Sequence, residues 1–133
     1  MPAEHELVLE WLARADDDLR LAELALNSSP PILWGAAFHA QQTVEKLLKA
    51  LLTSHRIEFE KVHSIDYLLD LCVVAEPQAE SLRTRAAELT DFAVEPRYPF
   101  PRHDPAEGEV RQAIEVARQV RSFVRERLPV DLR

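Results

Sequence analysis

Apolar residues recur every three to four positions through most of the chain, the period of a helix with one buried face, and no stretch alternates as a half-buried strand would. At roughly 100° per residue, Leu7, Val8, Trp11, Ala15, Leu19, Ala22, Ala25 and Leu26 share one face of a first segment. A second stripe runs through Ala37, Ala40, Val44, Leu47, Leu48 and Leu51, widened by Phe38 and Leu52. Ile65, Leu68, Leu69 and Cys72 make a short third stripe, and Leu82, Ala86, Leu89 and Ala93 a fourth. Val110, Ala113, Ile114, Ala117, Val120, Val124 and Leu128 make the last. Prolines at 2, 30, 31, 77, 96, 99, 101, 105 and 129 lie at or between the ends of these segments. Because proline lacks an N–H and clashes with the preceding turn, the pattern predicts helices over about 4–27, 31–55, 64–75, 78–94 and 106–128. Ser29 is placed to cap the second helix with Pro30 at its first position, Ser64 to cap the third, and Asp104-Pro105 to open the fifth. The short first connection predicts an antiparallel hairpin. All five stripes need one another to be covered, so the expectation is a single all-α domain, a helical bundle over residues 1–133.

Some polar residues interrupt this pattern. Asp18 falls within about 20° of Trp11 on the helical wheel, inside the apolar face. A carboxylate there needs a partner: it ties the first helix to a basic residue elsewhere, or it orients an active group. Gln41 and Glu45 sit one turn apart inside the apolar arc of the second helix and are expected to hydrogen-bond across a helix–helix or subunit interface. His39, Gln42, Lys46 and Lys49 are predicted to form a basic ridge on the opposite side, either a solvated face or a contact surface for an anion or nucleotide. The charges of the last helix, with Glu107–Arg111 and Glu115–Arg118 at helical pair spacing, read as ordinary surface pairs.

Composition narrows the chemistry. With two glycines, Gly35 and Gly108, neither a GxGxxG turn nor a P-loop can be written. The net charge of −7 argues against broad nonspecific nucleic-acid binding and leaves room for a local basic patch. A lone Cys72 on an apolar strip reads as a buried thiol, without a disulfide framework. His5, His39, His55, His63 and His103 show no metal-site spacing, so neither a metal nor another cofactor is expected. No apolar run approaches the ~18 residues of a membrane span. The first residues do not read as a signal peptide, so the expected compartment is the cytoplasm.

One stretch combines the remaining candidates: Val94-Glu95-Pro96-Arg97-Tyr98-Pro99-Phe100-Pro101-Arg102-His103-Asp104. Its prolines lower the entropy lost in holding one loop shape. Arg97 and Arg102 suit a phosphate, and Tyr98 or Phe100 suits stacking on a base. The alternative is that Arg97 pairs with Asp18 or Glu45 while Tyr98 plugs the space between helices.

Four stretches together carry a resemblance: Trp11-Leu12-Ala13-Arg14-Ala15-Asp16-Asp17-Asp18-Leu19; Ala37 to Leu52; His63-Ser64-Ile65-Asp66-Tyr67-Leu68-Leu69; and Glu95-Pro96-Arg97-Tyr98-Pro99. In this order the chain resembles the HEPN family of small helical nucleotide- or RNA-associated domains. The resemblance implies an up-and-down bundle of four or five helices that commonly dimerises. It implies a homodimeric binding module beside a separate minimal nucleotidyltransferase in a toxin–antitoxin-like pair. The ligand residues would be Arg97, Tyr98, Arg102, His39, Gln42, Lys46 and Lys49, with Asp18, Gln41 and Glu45 as a structural polar network. Other HEPN proteins are metal-independent ribonucleases with an arginine and a histidine a short stretch apart. Arg97 and His103, with five residues between them, match that spacing and would be the catalytic pair. Pro99 and Pro101 fall inside that motif, which family ribonucleases present on a helix, and this favours binding over catalysis. A third reading is a helical dimerisation scaffold without a ligand.

Overall fold

Helices α1 (Pro2–Asn27) and α2 (Leu33–Ser54) form the antiparallel hairpin on which the rest is built. Contacts run in opposite directions along the two: Ala25 with Ile32, Asp18 with His39, Trp11 with Lys49, Glu4 with Arg56. The computed structural model describes residues 2–92 and 105–133. Among these every regular element is helical.

The turn between α1 and α2 departs from the sequence expectation. Ser29 does not cap α2 and Pro30 is not its first residue; the helix starts at Leu33 with Ile32 before it. Two consecutive prolines explain this, because a residue that precedes a proline is pushed out of the helical region. Ser28 closes the turn instead, its hydroxyl placed 2.9 Å from both the Ala25 and Pro30 carbonyls.

Helix α2 lies at the centre, with nearly every residue from Gly35 to Leu52 buried or half-buried. A helix apolar on most of its circumference belongs there. Its C-terminus ends with Arg56 at φ 57°, in the left-handed region. The Arg56 N–H donates to the Thr53 carbonyl (3.1 Å) and the Ile57 N–H to the Leu52 carbonyl (2.9 Å), a Schellman closure that glycine fills more commonly.

Residues 55–64 then return as an extended leg. Helix α3 (Ile65–Ala75) therefore runs parallel to α2: His63 meets Glu45, the Cys72 thiol donates to the Leu48 carbonyl, and Glu76 meets His55. Ser64 caps α3 as its position predicts, accepting from the Tyr67 N–H at 3.2 Å. The fourth segment is not one helix over 78–94. It is a 3₁₀ turn (Pro77–Leu82), a short α4 (Arg83–Ala86) and a second 3₁₀ turn (Ala87–Phe92). Its apolar residues explain the change: Ala79 and Leu82, then Ala86, Leu89 and Phe92, repeat every three positions, the period of the tighter helix.

Helix α5 (Glu107–Arg127) packs antiparallel to α1, with Arg118 on Glu23 and Arg121 and Arg125 on Asp16. Its first turn is closed by Glu109, which accepts from the Ala106 N–H at 3.0 Å. The expected opening residue Asp104 lies outside the described residues.

The core stripes predicted for α2, α3 and α5 are buried, Phe38 of α2 only partly so, with Val116 added to α5. On α1, Leu12 is buried and Leu7 is exposed. The bundle is all-α, and chain direction alternates through it only because 55–64 and 77–92 serve as return legs.

Replacing Arg56 by glycine relieves the left-handed backbone at the cost of the surface pair with Glu4. The expected result is a gain of about 0.5–1 kcal/mol in urea unfolding. A loss of stability would mean that the Arg56–Glu4 pair outweighs the backbone strain.

Candidate functional site

Helix α2 carries two polar clusters on neighbouring flanks. On the α1 side, Asp18 is buried on the core face of α1, where the wheel places it. Its Oδ1 lies 2.8 Å from His39 Nδ1, and its Oδ2 pairs with Lys46 Nζ. An ionised carboxylate only accepts, so His39 donates from Nδ1 and keeps Nε2 for another partner. His39 and Lys46 stand two turns apart on α2, and the single acid on α1 holds both.

On the α3 side, Glu45 is 3% exposed. It accepts from Lys49 Nζ at 2.7 Å, from Gln41 Nε2 at 3.1 Å and from Gln42 Nε2 at 3.2 Å. His63 Nδ1 lies 3.1 Å from each carboxylate oxygen. Gln41 is satisfied in turn, donating to the His63 carbonyl (3.2 Å) and accepting from Gln42 (2.7 Å). Gln41 and Glu45 thus bond across to the entry of α3, a helix-to-loop contact within one chain.

Burial pushes the Glu45 carboxyl pKa up, but hydrogen bonds from Lys49 and His63, the Lys49 charge and Gln41 outweigh it, so it settles below the ordinary 4.5. The Lys49 ammonium lies 5.5 Å from the Trp11 ring centre and 5.8 Å from that of Phe59. Those two rings are 6.3 Å apart. A cation enclosed by one carboxylate and two aromatic faces is compensated although little water reaches it.

The predicted basic ridge is therefore not one row. Lys49 is buried against Glu45, Gln42 belongs to the same cluster, and His39 and Lys46 turn toward Asp18. Lys49 stands four residues after Glu45, one helical turn away, so the spacing carried this signal. His63, Trp11 and Phe59 were not singled out as site residues; only the fold brings them to α2. His63 is the open edge of the cluster, with its side chain 63% exposed.

Arg97, Tyr98, Arg102 and His103, and with them the alternative pairing of Arg97 with Asp18 or Glu45, lie outside the described residues. The chain approaches that stretch beside the Glu45 cluster, because Thr90 Oγ1 accepts from the Ile65 N–H at 3.1 Å, two residues from His63. On the other flank, Phe92 and Glu109 line one cavity of about 330 Å³.

Cys72 is buried on α3, and burial, with a smaller contribution from the Glu76 charge, pushes its thiol up to about 12. It stays protonated and is no nucleophile at neutral pH. Among the described residues no group of three or more His, Cys, Asp or Glu side chains is placed to hold a metal ion.

Residues 8–127 match the family model of the HEPN domain. Among solved structures, the chain is similar to the crystal structure of an archaeal HEPN homologue. The TM-score is 0.71 at 28% identity, covering 92% of this chain and 98% of that one. No curated protein matches the sequence.

Two outcomes test the Glu45 cluster. Lys49→Met strands a buried carboxylate and is expected to cost on the order of 3 kcal/mol, with Glu45→Gln/Lys49→Met costing less than the two single changes combined. Additive costs in urea unfolding would dissolve the pair. The second is a pH dependence. Glu45 holds its proton less tightly folded than unfolded, so its stabilisation is present above the ordinary 4.5 and is lost as pH falls through the lower folded value. Wild-type stability therefore falls on acidification below that point, and Glu45→Gln shows a shallower fall; equal slopes would contradict the assignment.

Proposed function

The chain belongs to the HEPN domain family, and from that membership we propose a homodimeric, non-catalytic module that binds a nucleotide or short RNA. It works beside a separate minimal nucleotidyltransferase in a toxin–antitoxin-like pair. The observation that carries this reading is the Lys46 ammonium held partly exposed on α2 by Asp18, with the His39 and His63 rings positioned on the same helix and its neighbouring leg. Lys46 gives Asp18 one of its three ammonium hydrogens, and His39 and His63 each spend only Nδ1 on a carboxylate. The partly exposed Lys46 ammonium, with donors left over and these rings beside it, suits an incoming phosphate. The two acids keep them in place and hold the local charge close to neutral, which suits a protein of net charge −7. Arg97, Tyr98 and Arg102 complete the ligand surface in this proposal, stacking on a base and pairing with phosphate.

The separation of Arg97 and His103 favours one other reading, a metal-independent ribonuclease. There Arg97 would stabilise the developing phosphorane charge, and His103 would act as general acid or base across a dimer cleft. Pro99 and Pro101 between the two residues favour the binding reading, since family ribonucleases present this motif on a helix.

Titration calorimetry with ATP and with a short single-stranded RNA tests the ligand. Binding is expected, weakened ~tenfold or more by Arg97→Ala combined with Arg102→Ala, and falling as salt rises. No heat at millimolar ligand would overturn the ligand assignment. Growth arrest on expression that Arg97→Ala or His103→Ala relieves would instead establish the ribonuclease. Co-purification of a nucleotidyltransferase encoded next to this chain tests the partner.

A further inference from the structure

The outward face of α1 is unpaired in a way that suits a second copy of itself. Ala13, Asp17, Arg20, Leu21 and Leu24 are all exposed and lie on one side of the helix, opposite the buried face of Val8, Leu12, Ala15, Leu19 and Ala22. Leu24 is 63% exposed and Leu21 46%, one turn apart. At the adjoining end of the hairpin, Ile32 and Trp34 are exposed too. The Ile32 N–H donates to the Ala25 carbonyl, which holds Ile32 where α1 gives way to α2. Apolar side chains gathered in this way mark an interaction face more often than scattered ones do.

The charges on this face identify the occupant. Most acids and arginines of α1 and α5 are paired: Arg14 with Glu10, Glu23 with Arg118, Asp16 with Arg121 and Arg125. Asp17 and Arg20 have opposite charge, are three residues apart, and have no hydrogen-bond or ion-pair partner among the described residues. In a two-fold contact residue i faces j and j faces i. An antiparallel pair of α1 helices with the axis between Asp17 and Arg20 sets each Asp17 against Arg20 of the partner subunit. The same register sets the small Ala13 against the large Leu24. The face is complementary to itself in charge and in size.

With the axis between Asp17 and Arg20, the stretch from Glu10 to Asn27 of each α1 overlaps, a strip ~27 Å long and about 10 Å wide, roughly 270 Å², a third of the ~800 Å² per partner in a standard interface. The remainder has to come from the ends of the strip, where Leu7, Leu9 and Ile32 are exposed.

We propose that the chain dimerises through antiparallel packing of α1 on α1 about a two-fold axis between Asp17 and Arg20, with Leu21 and Leu24 as its apolar part and Ile32 at its end. This rests on the homodimer proposed above and names its surface. The test is light scattering and sedimentation equilibrium on the full chain, with far-UV circular dichroism to verify folding. Wild type is expected to be dimeric at ~100 μM, and Leu24→Glu to raise the dimer Kd at least ~tenfold. Val74→Glu, at a position 77% exposed on α3, is expected to leave the dimer intact. Asp17→Arg and Arg20→Asp each place like charges opposite one another twice and weaken the dimer several-fold; the double exchange restores it. A monomeric wild type would overturn the homodimer itself. A dimer untouched by Leu24→Glu, or charge reversals whose effects add instead of cancelling, would overturn only the surface named here.

Discussion

Helix α2 has almost no free surface, so its buried carboxylate has to be satisfied from within the fold, and much of the architecture follows from that. Glu45 draws on its own helix and on one neighbour: Lys49, Gln41 and Gln42 from α2, and His63 from the return leg ahead of α3. Without this ion cluster the centre of the bundle would leave an ionised group uncompensated, which costs far more than a lost surface pair. The extended return leg becomes intelligible in the same terms. It brings Phe59 over Lys49 and His63 onto Glu45, which a direct helical hairpin from α2 into α3 would not do.

Asp18 repeats the device on the other flank. An acid on α1 holds His39 and Lys46 of α2, so both clusters fix donor side chains that remain partly open to solvent. Such fixing lowers the rotamer entropy that flexible cations lose on meeting an anion. It also sets each of these side chains against a local carboxylate in a protein of net charge −7.

Much of the fold was legible in the sequence because helical period, proline placement and the Ser64 cap all agree. Asp18, Gln41 and Glu45 stood out as polar residues in apolar arcs, and that contradiction marked them. Three features were not legible, each for a physical reason. The start of α2 was misplaced because capping preference competes with the backbone restriction of the Pro30–Pro31 pair, and the restriction wins. The fourth segment reads as a helix on a four-residue period, but three-residue spacing of its apolar side chains makes most of it 3₁₀. The burial of Lys49 was missed because a lysine reads as a surface residue until its enclosure is known. That enclosure comes from Trp11 and Phe59, residues remote in sequence from Lys49 or beyond its helix. His63 escaped for the same reason. The scarcity of glycine also has a structural echo, since a left-handed helix end that commonly takes glycine is made by Arg56.

The most direct test of the central claim is carboxyl-detected NMR titration of Glu45 in the folded protein, following the Lys49 ammonium and His63 ring signals alongside. An ionised Glu45 held by Lys49 and His63 titrates below the ordinary 4.5, and the Lys49 and His63 resonances shift with it. A Glu45 that titrates at or above that value, with Lys49 and His63 silent, would mean that burial prevails over the cluster and that the charges along α2 are organised by something else.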